Sequence, residues 1–279
     1  MTNPIADPLV EVPDTDALSS LVELDASPSG VAVVTINRPD RKNAFNAEVV
    51  AALAEHFETL RDADGVRIVF LRGAGGAFSA GADLEWMKSA TGFTRDENRE
   101  DAMALAEMLL ALRELPQLTV ALVEGPAFGG GAGLVAACDY AVAVKDATFA
   151  FSEVKLGLVA ATISPHVVAA IGPRRAKSLF ATGRMFDAAF AEKIGLVDEL
   201  VDAAADLDDA MERLSTEIMA CAPGAVAKSK ALVEDVTGVP IDDELLDLTA
   251  RLIADQRLSD EGLEGVTAFL EKRKPGWAL

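Results

Sequence analysis

The chain has few of the residues that metal, disulfide and redox chemistry require. Of its 279 residues only two are cysteine and two are histidine. Cys138 and Cys221 lack metal-type spacing, and His56 and His166 cannot furnish a three-histidine zinc site. The expectation is a reducing, cytoplasmic setting with no metal and no resident cofactor. Cys138 follows a run of small apolar residues and reads as a packed core thiol. His56, between Leu53 and Leu60, reads as a core-edge residue of a helix.

Basic residues are scarce as well. Lys and Arg number 25 against 45 Asp and Glu, a net charge of -20. Such a chain repels nucleic acid, whose binding rests on many Lys/Arg contacts to phosphate. Apolar runs are short: Val159 to Ile163 is interrupted by Thr162 and followed by Ser164, Pro165 and His166. None approaches the ~20 residues of a membrane helix. Residues 1–18 belong to an acidic, Pro- and Asp-rich stretch with neither a basic start nor an apolar centre, read as a loose tail and not a secretory signal. With 51% hydrophobic residues the rest can bury a full core.

What is present centres on Gly129, Gly130, Gly131, Ala132 and Gly133. Thr119 to Val123 before them branches like a buried strand, Gly125 and Pro126 mark a turn, and Leu134 to Cys138 reads as a small-residue helix. The glycines therefore open a helix, where backbone amides have no intrahelical partner and can serve an anion or oxyanion. No Lys-Ser/Thr pair follows as in a P-loop, and Leu134 stands where a dinucleotide fingerprint needs its third glycine. A tight turn with close helix packing would use the same glycines. Glu153 lies twenty residues beyond Gly133, among Phe149, Phe151, Val154 and Leu156. An apolar setting raises a carboxyl pKa toward neutrality, the condition for efficient proton transfer.

The surrounding pattern is α/β. Leu21 to Leu24 and Val31 to Ile36 predict a hairpin, and Asn46 caps a helix with Val49, Leu53, Phe57 and Leu60 on one face. Thr94 and Glu97 form a capping box ahead of Leu105, Met108, Leu109 and Leu112. Beyond Pro165 the chain reads as almost wholly helical. These patterns divide it into a tail at 1–18, an α/β core at 19–205 and a helical region at 206–279.

A second stretch, Phe78 to Leu84, follows the strand-like Arg67 to Arg72 and the turn at Gly73 to Gly76. Together the two stretches resemble the crotonase, or enoyl-CoA hydratase/isomerase, superfamily, and Asn37 to Asn46, Thr182 to Arg184, Gly195 to Asp198 and Glu264 to Lys274 extend the resemblance over nearly the whole chain. It implies a spiral core of repeated ββα units, C-terminal helices that trimerise, often as a dimer of trimers, and an acyl-CoA thioester as substrate. It also implies an oxyanion hole from the amides of Ala82 and Gly130. The coenzyme A path would run along Lys42, Ala44, Ala80, Asp83 and Leu84, with Trp86 and Phe128 as acyl-pocket candidates and Lys272 in a basic tail.

The sequence departs from the common two-glutamate hydratase pattern, because Gly133 occupies the first glutamate's position. One acid/base residue, Glu153, remains. Hydration with that single carboxylate is the preferred reading, on local resemblance to the bacterial methylglutaconyl-CoA hydratase-like subgroup of leucine degradation. Isomerisation by one proton shuttle is the alternative. Glu124, where the family usually has Asn, is read as capping a strand-end turn, with a catalytic role as the lesser option. Val159 to Thr162 offers no acidic nucleophile for a dehalogenase or thioester hydrolase.

Overall fold

The computed structural model describes residues 21–278, so the tail expected at 1–18 lies outside the described residues. The hairpin forms as β1 (Val22–Ala26) and β2 (Val31–Ile36), antiparallel, with Val22 opposite Ile36. Alternation along β2 buries Ala32, Val34 and Ile36. Helix α1 (Ala47–Arg61) begins where Asn46 accepts a hydrogen bond from the Val49 amide at 3.0 Å. Its buried face holds Val49, Leu53, Phe57 and Leu60 as predicted. His56 is buried on the same helix, its Nε2 3.2 Å from the Val22 carbonyl oxygen.

Strand β3 (Ile68–Gly73) then pairs parallel to β2. Two helices follow, α2 (Leu84–Ala90) and α3 (Arg95–Arg113), the second opened by the predicted capping box with both reciprocal bonds present. The glycine-rich segment is framed by β4 (Leu118–Val123), a short β5 (Pro126–Phe128), α4 (Gly130–Ala137) and β6 (Tyr140–Val144). Beyond β7 (Thr148–Ala150) lie α5 (Ser164–Ile171), α6 (Pro173–Thr182), β8 (Met185–Asp187), α7 (Ala188–Ile194) and β9 (Glu199–Val201). The last four helices are α8 (Asp206–Met219), α9 (Pro223–Val236), α10 (Asp243–Leu258) and α11 (Asp260–Glu271).

Two sheets result. The larger has the order β1-β2-β3-β4-β6-β9 and is parallel from β2 onward, as crossover helices require. Its strands are apolar along their length: Val120, Ala121, Leu122 and Val123 are all buried, the pattern of a sheet covered on both faces. The smaller sheet runs β5-β7-β8, with β5 parallel and β8 antiparallel to β7. Two isolated bridges, Ser79 to Ala127 and Phe45 to Ala82, dock the Phe78–Leu84 loop beside it. Both glycine-bearing stretches thus meet at one edge of the smaller sheet. The turn read at Gly125 and Pro126 is present, Gly125 having φ +62°, but Pro126 at once starts β5, a strand-initial position that costs no ladder bond.

Candidate active site

Gly129 precedes α4 with φ +50° and ψ -118°, a conformation that disfavours any β-carbon, and its amide donates to the Ala150 carbonyl at 2.9 Å. That bond extends the β5/β7 pairing by one step and aims the start of α4. The next amide, Gly130, is the first of the helix and has no hydrogen-bond partner among the described residues. Ala82 is also without an amide partner there. The Phe45 amide donates to the Gly81 carbonyl and the Asp83 amide donates to the Phe45 carbonyl, both at 2.7 Å, so the intervening Ala82 amide faces away from Phe45. A β-carbon on Gly130 would lie 2.9 Å from Phe45 Cε2. Phe45, 1% exposed, therefore holds Ala82 by its backbone and Gly130 by its ring. Sequence reading placed Phe45 inside a matched stretch and assigned it no role.

Glu153 opens a single 3-10 turn, Glu153–Leu156, directly after β7. Phe149 and Phe151, buried on either side of the strand end, fix its origin. Its Oε1 stands 3.3 Å from where a β-carbon on Gly129 would be, which puts the carboxylate against the residue preceding the Gly130 amide. The other oxygen, Oε2, is buried without a hydrogen-bond partner. Burial raises the Glu153 pKa, and its own backbone amide only partly opposes this. A carboxylate with one unsatisfied buried oxygen is costly to folding, and such a cost is often retained where a proton must move.

Around it lies a cavity of about 580 Å³ lined by Phe151, Val154, Leu158, Val159, Val168 and Phe180, among others. Phe151 and Val154 belong to the apolar setting read for Glu153 from the sequence, whereas Leu158, Val159, Val168 and Phe180 were not assigned to it. The available signal is the apolar run Leu158 to Ala161 a few residues beyond Glu153.

The residues expected along a coenzyme A path gather partly here. Lys42 is exposed with φ +50°, and its carbonyl accepts from the Ala80 amide at 2.9 Å, while Ala44 is buried. Asn43, also left-handed at φ +55° and fully buried, braces the loop by donating to the carbonyls of Ala74 and Ala77. Asp83 caps α2 by accepting from the Glu85 amide at 2.8 Å and pairs with Arg38 at 3.0 Å. Burial alone would raise the Asp83 carboxyl; the Glu85 amide and the Arg38 guanidinium overcome it and hold the pKa below its ordinary value. Leu84 is 77% exposed beside it. Phe128 ends β5, its amide bonded to the Ser79 carbonyl and its own carbonyl packed against Gly81.

Other expected residues fall elsewhere. Trp86 donates from Nε1 to Asp101 at 3.1 Å and lines a separate cavity with Val50, Ala54 and Met108 between α1 and α3. Lys272 ends α11 in the left-handed region and lines a third cavity with Ser27, Ser29 and Met219. Its neighbour Arg273 makes a two-pronged pair with Glu264 at 2.7 and 2.8 Å. Glu124 lies with its Oε1 3.6 Å from where a β-carbon on Gly76 would be, and its backbone carbonyl accepts from the Phe78 amide. Among the described residues no His, Cys, Asp and Glu cluster could hold a metal.

Comparison with known proteins fits this geometry. A family model described as enoyl-CoA hydratase/isomerase matches residues 26–278. A Thermus thermophilus protein whose name assigns it provisionally to the enoyl-CoA hydratases is 38% identical over 245 residues, 88% of this chain and 96% of its own. The crystal structure of an enoyl-CoA hydratase from Shewanella pealeana superposes with a TM-score of 0.89 at 36% identity, covering 92% of this chain and 96% of that one. An enoyl-CoA hydratase structure from Mycobacterium smegmatis gives 0.87 at 35% identity, covering 94% and 100%. The chain belongs to the enoyl-CoA hydratase/isomerase family, with the crotonase fold.

Proposed function

We propose that the chain hydrates enoyl-CoA thioesters, with Glu153 as the single acid/base residue and the amides of Ala82 and Gly130 as the oxyanion hole. The carrying observation is the junction at Gly129: a half-buried carboxylate with one enclosed, unpartnered oxygen abuts the residue preceding an unpartnered helix-N-terminal amide. Glu153 removes a proton from water as the water oxygen bonds to C3. The C2–C3 π electrons move onto the thioester as an enolate, whose oxygen accepts from the two amides. Glu153 then returns the proton to C2. Each oxyanion donor of this kind contributes about 3–4 kcal/mol to the transition state.

The finer reading is a branched acyl group of the methylglutaconyl type. Aliphatic walls beside Glu153 suit a methyl branch, and Lys177 lines the same cavity and offers a cation to a distal carboxylate. Coenzyme A would follow Lys42, Ala44, Ala80, Asp83 and Leu84. A homotrimer or dimer of trimers is the proposed assembly. Leu258, Phe269 and Leu270, exposed at 76%, 82% and 72% on the last two helices, are the apolar surface it would cover.

One carboxylate also serves isomerisation of a 3-enoyl thioester, taking a proton from C2 to form the dienolate and returning it at C4. A paired assay separates the two: loss of enoyl absorbance with crotonyl-CoA or 3-methylglutaconyl-CoA, against its gain with a 3-enoyl-CoA. Hydration without isomerisation supports the proposal; isomerisation without hydration overturns it.

A further inference from the structure

We propose that Ile163 fixes the number of carboxylates in this active site, filling the volume a glutamate at position 133 would need and so reserving proton transfer to Glu153. The inference rests on the hydratase reading and adds a positioning residue to it. Gly133 is buried on α4 one turn beyond Gly129, to whose carbonyl its amide donates at 3.0 Å. That bond joins the residue before the helix to the helix's fourth residue. Glu153 lies against Gly129 at one end of it, and Ile163 against Gly133 at the other.

The contact is closed. A β-carbon on Gly133 would lie 2.3 Å from Ile163 Cγ2 and 2.9 Å from its Cβ, inside any real carbon–carbon separation. Ile163 is 2% exposed at the residue capping α5, and Pro165 in the first turn restricts the backbone around it. Neither alanine nor glutamate fits at 133 while this isoleucine stays in place. The glycine is thus coupled to its neighbour: the hydrocarbon of Ile163 takes the place of a second proton carrier.

Thermal melting of a double-mutant cycle tests the wedge. Gly133→Ala in the otherwise native chain should lower the Tm by roughly 5 °C or more, the scale of overpacking in a chain of this size. In an Ile163→Gly background the same change should be neutral or raise the Tm, because alanine is the better residue inside a helix. Should Ile163→Gly not fold, Ile163→Ala removes the nearest atom, and the penalty should shrink markedly. An equal Tm loss in both backgrounds would overturn the proposal.

Turnover supplies the functional readout. Gly133→Glu with Ile163→Gly should restore to Glu153→Gln at least about 10-fold of its lost hydration, the new carboxylate taking the water proton and returning it to C2. No rescue, in a triple variant that melts cooperatively, would refute the carboxylate-count claim. If melting shows the sign change but the native chain hydrates nothing, the wedge stands and the hydratase reading fails.

Discussion

Replacing Phe45 by leucine separates packing from positioning at the oxyanion hole. The backbone of Phe45 pairs on both sides of Ala82, and its ring edge lies against Gly130. Leucine keeps the backbone pairing but withdraws the ring atoms Cδ2 and Cε2 that touch the glycine. Full truncation of a buried phenylalanine costs about 3–5 kcal/mol, and leucine retains most of the buried hydrocarbon, so the folding cost should be about 1–2 kcal/mol. For a chain of this length that lowers the Tm by roughly 2–8 °C, leaving the protein folded. Catalysis should suffer more. Without the ring the start of α4 can settle toward Phe45, and a displacement near 1 Å at a catalytic group costs on the order of 10²-fold. Steady-state hydration of crotonyl-CoA should show kcat reduced about 10²-fold with KM changed less than about threefold. A near-native kcat alongside the expected Tm loss would refute the positioning argument and leave Phe45 as ordinary core.

Other outcomes follow from neighbouring contacts. Arg38→Met strands the Asp83 carboxylate and should cost about 2 kcal/mol, less than a fully enclosed pair because the adjoining Ala82 is exposed, measurable as a lower urea midpoint. Glu124→Gln should leave hydration within about twofold of native, whereas a 10²-fold loss would make it a second catalytic carboxylate. Glu153→Gln should raise stability at neutral pH. The folded-state pKa of Glu153 lies above its unfolded value, so its charged form destabilises the fold above that pKa, and the penalty disappears once pH falls below the unfolded carboxylate range. The variant's Tm should exceed the native Tm at pH 7 and converge with it on acidification; a lower Tm at pH 7 would contradict the burial argument.

Local grammar carried much of the fold. Asn46, the Thr94–Glu97 box and the alternation of β2 specify their elements through neighbours a few residues away, and all three formed as read. The glycine-opened helix at Gly130 was legible for the same reason. The smaller sheet was not. β5, β7 and β8 are three residues each, too short to show a period, and exist because Ser79, Ala127 and Phe149 meet across long separations. The site shows the same division. Glu153 stood out as a carboxyl in an apolar run, but the two contacts that shape its surroundings, Phe45 on Gly130 and Ile163 on Gly133, join residues 85 and 30 positions apart and leave no local mark. Trp86 shows a further limit: an aromatic near a matched loop invites a pocket role, and its sequence gives no sign of the indole's bond to Asp101.

The most direct test of single-carboxylate catalysis is hydration of crotonyl-CoA by Glu153→Gln, with thioester binding and Tm measured on the same sample. The expected result is a native or better Tm, binding within about threefold, and a turnover loss of at least about 10³-fold, since the carboxylate against Gly129 is gone. Turnover within tenfold of native would show that another group moves the proton, and would contradict the claim that this active site works with one carboxylate.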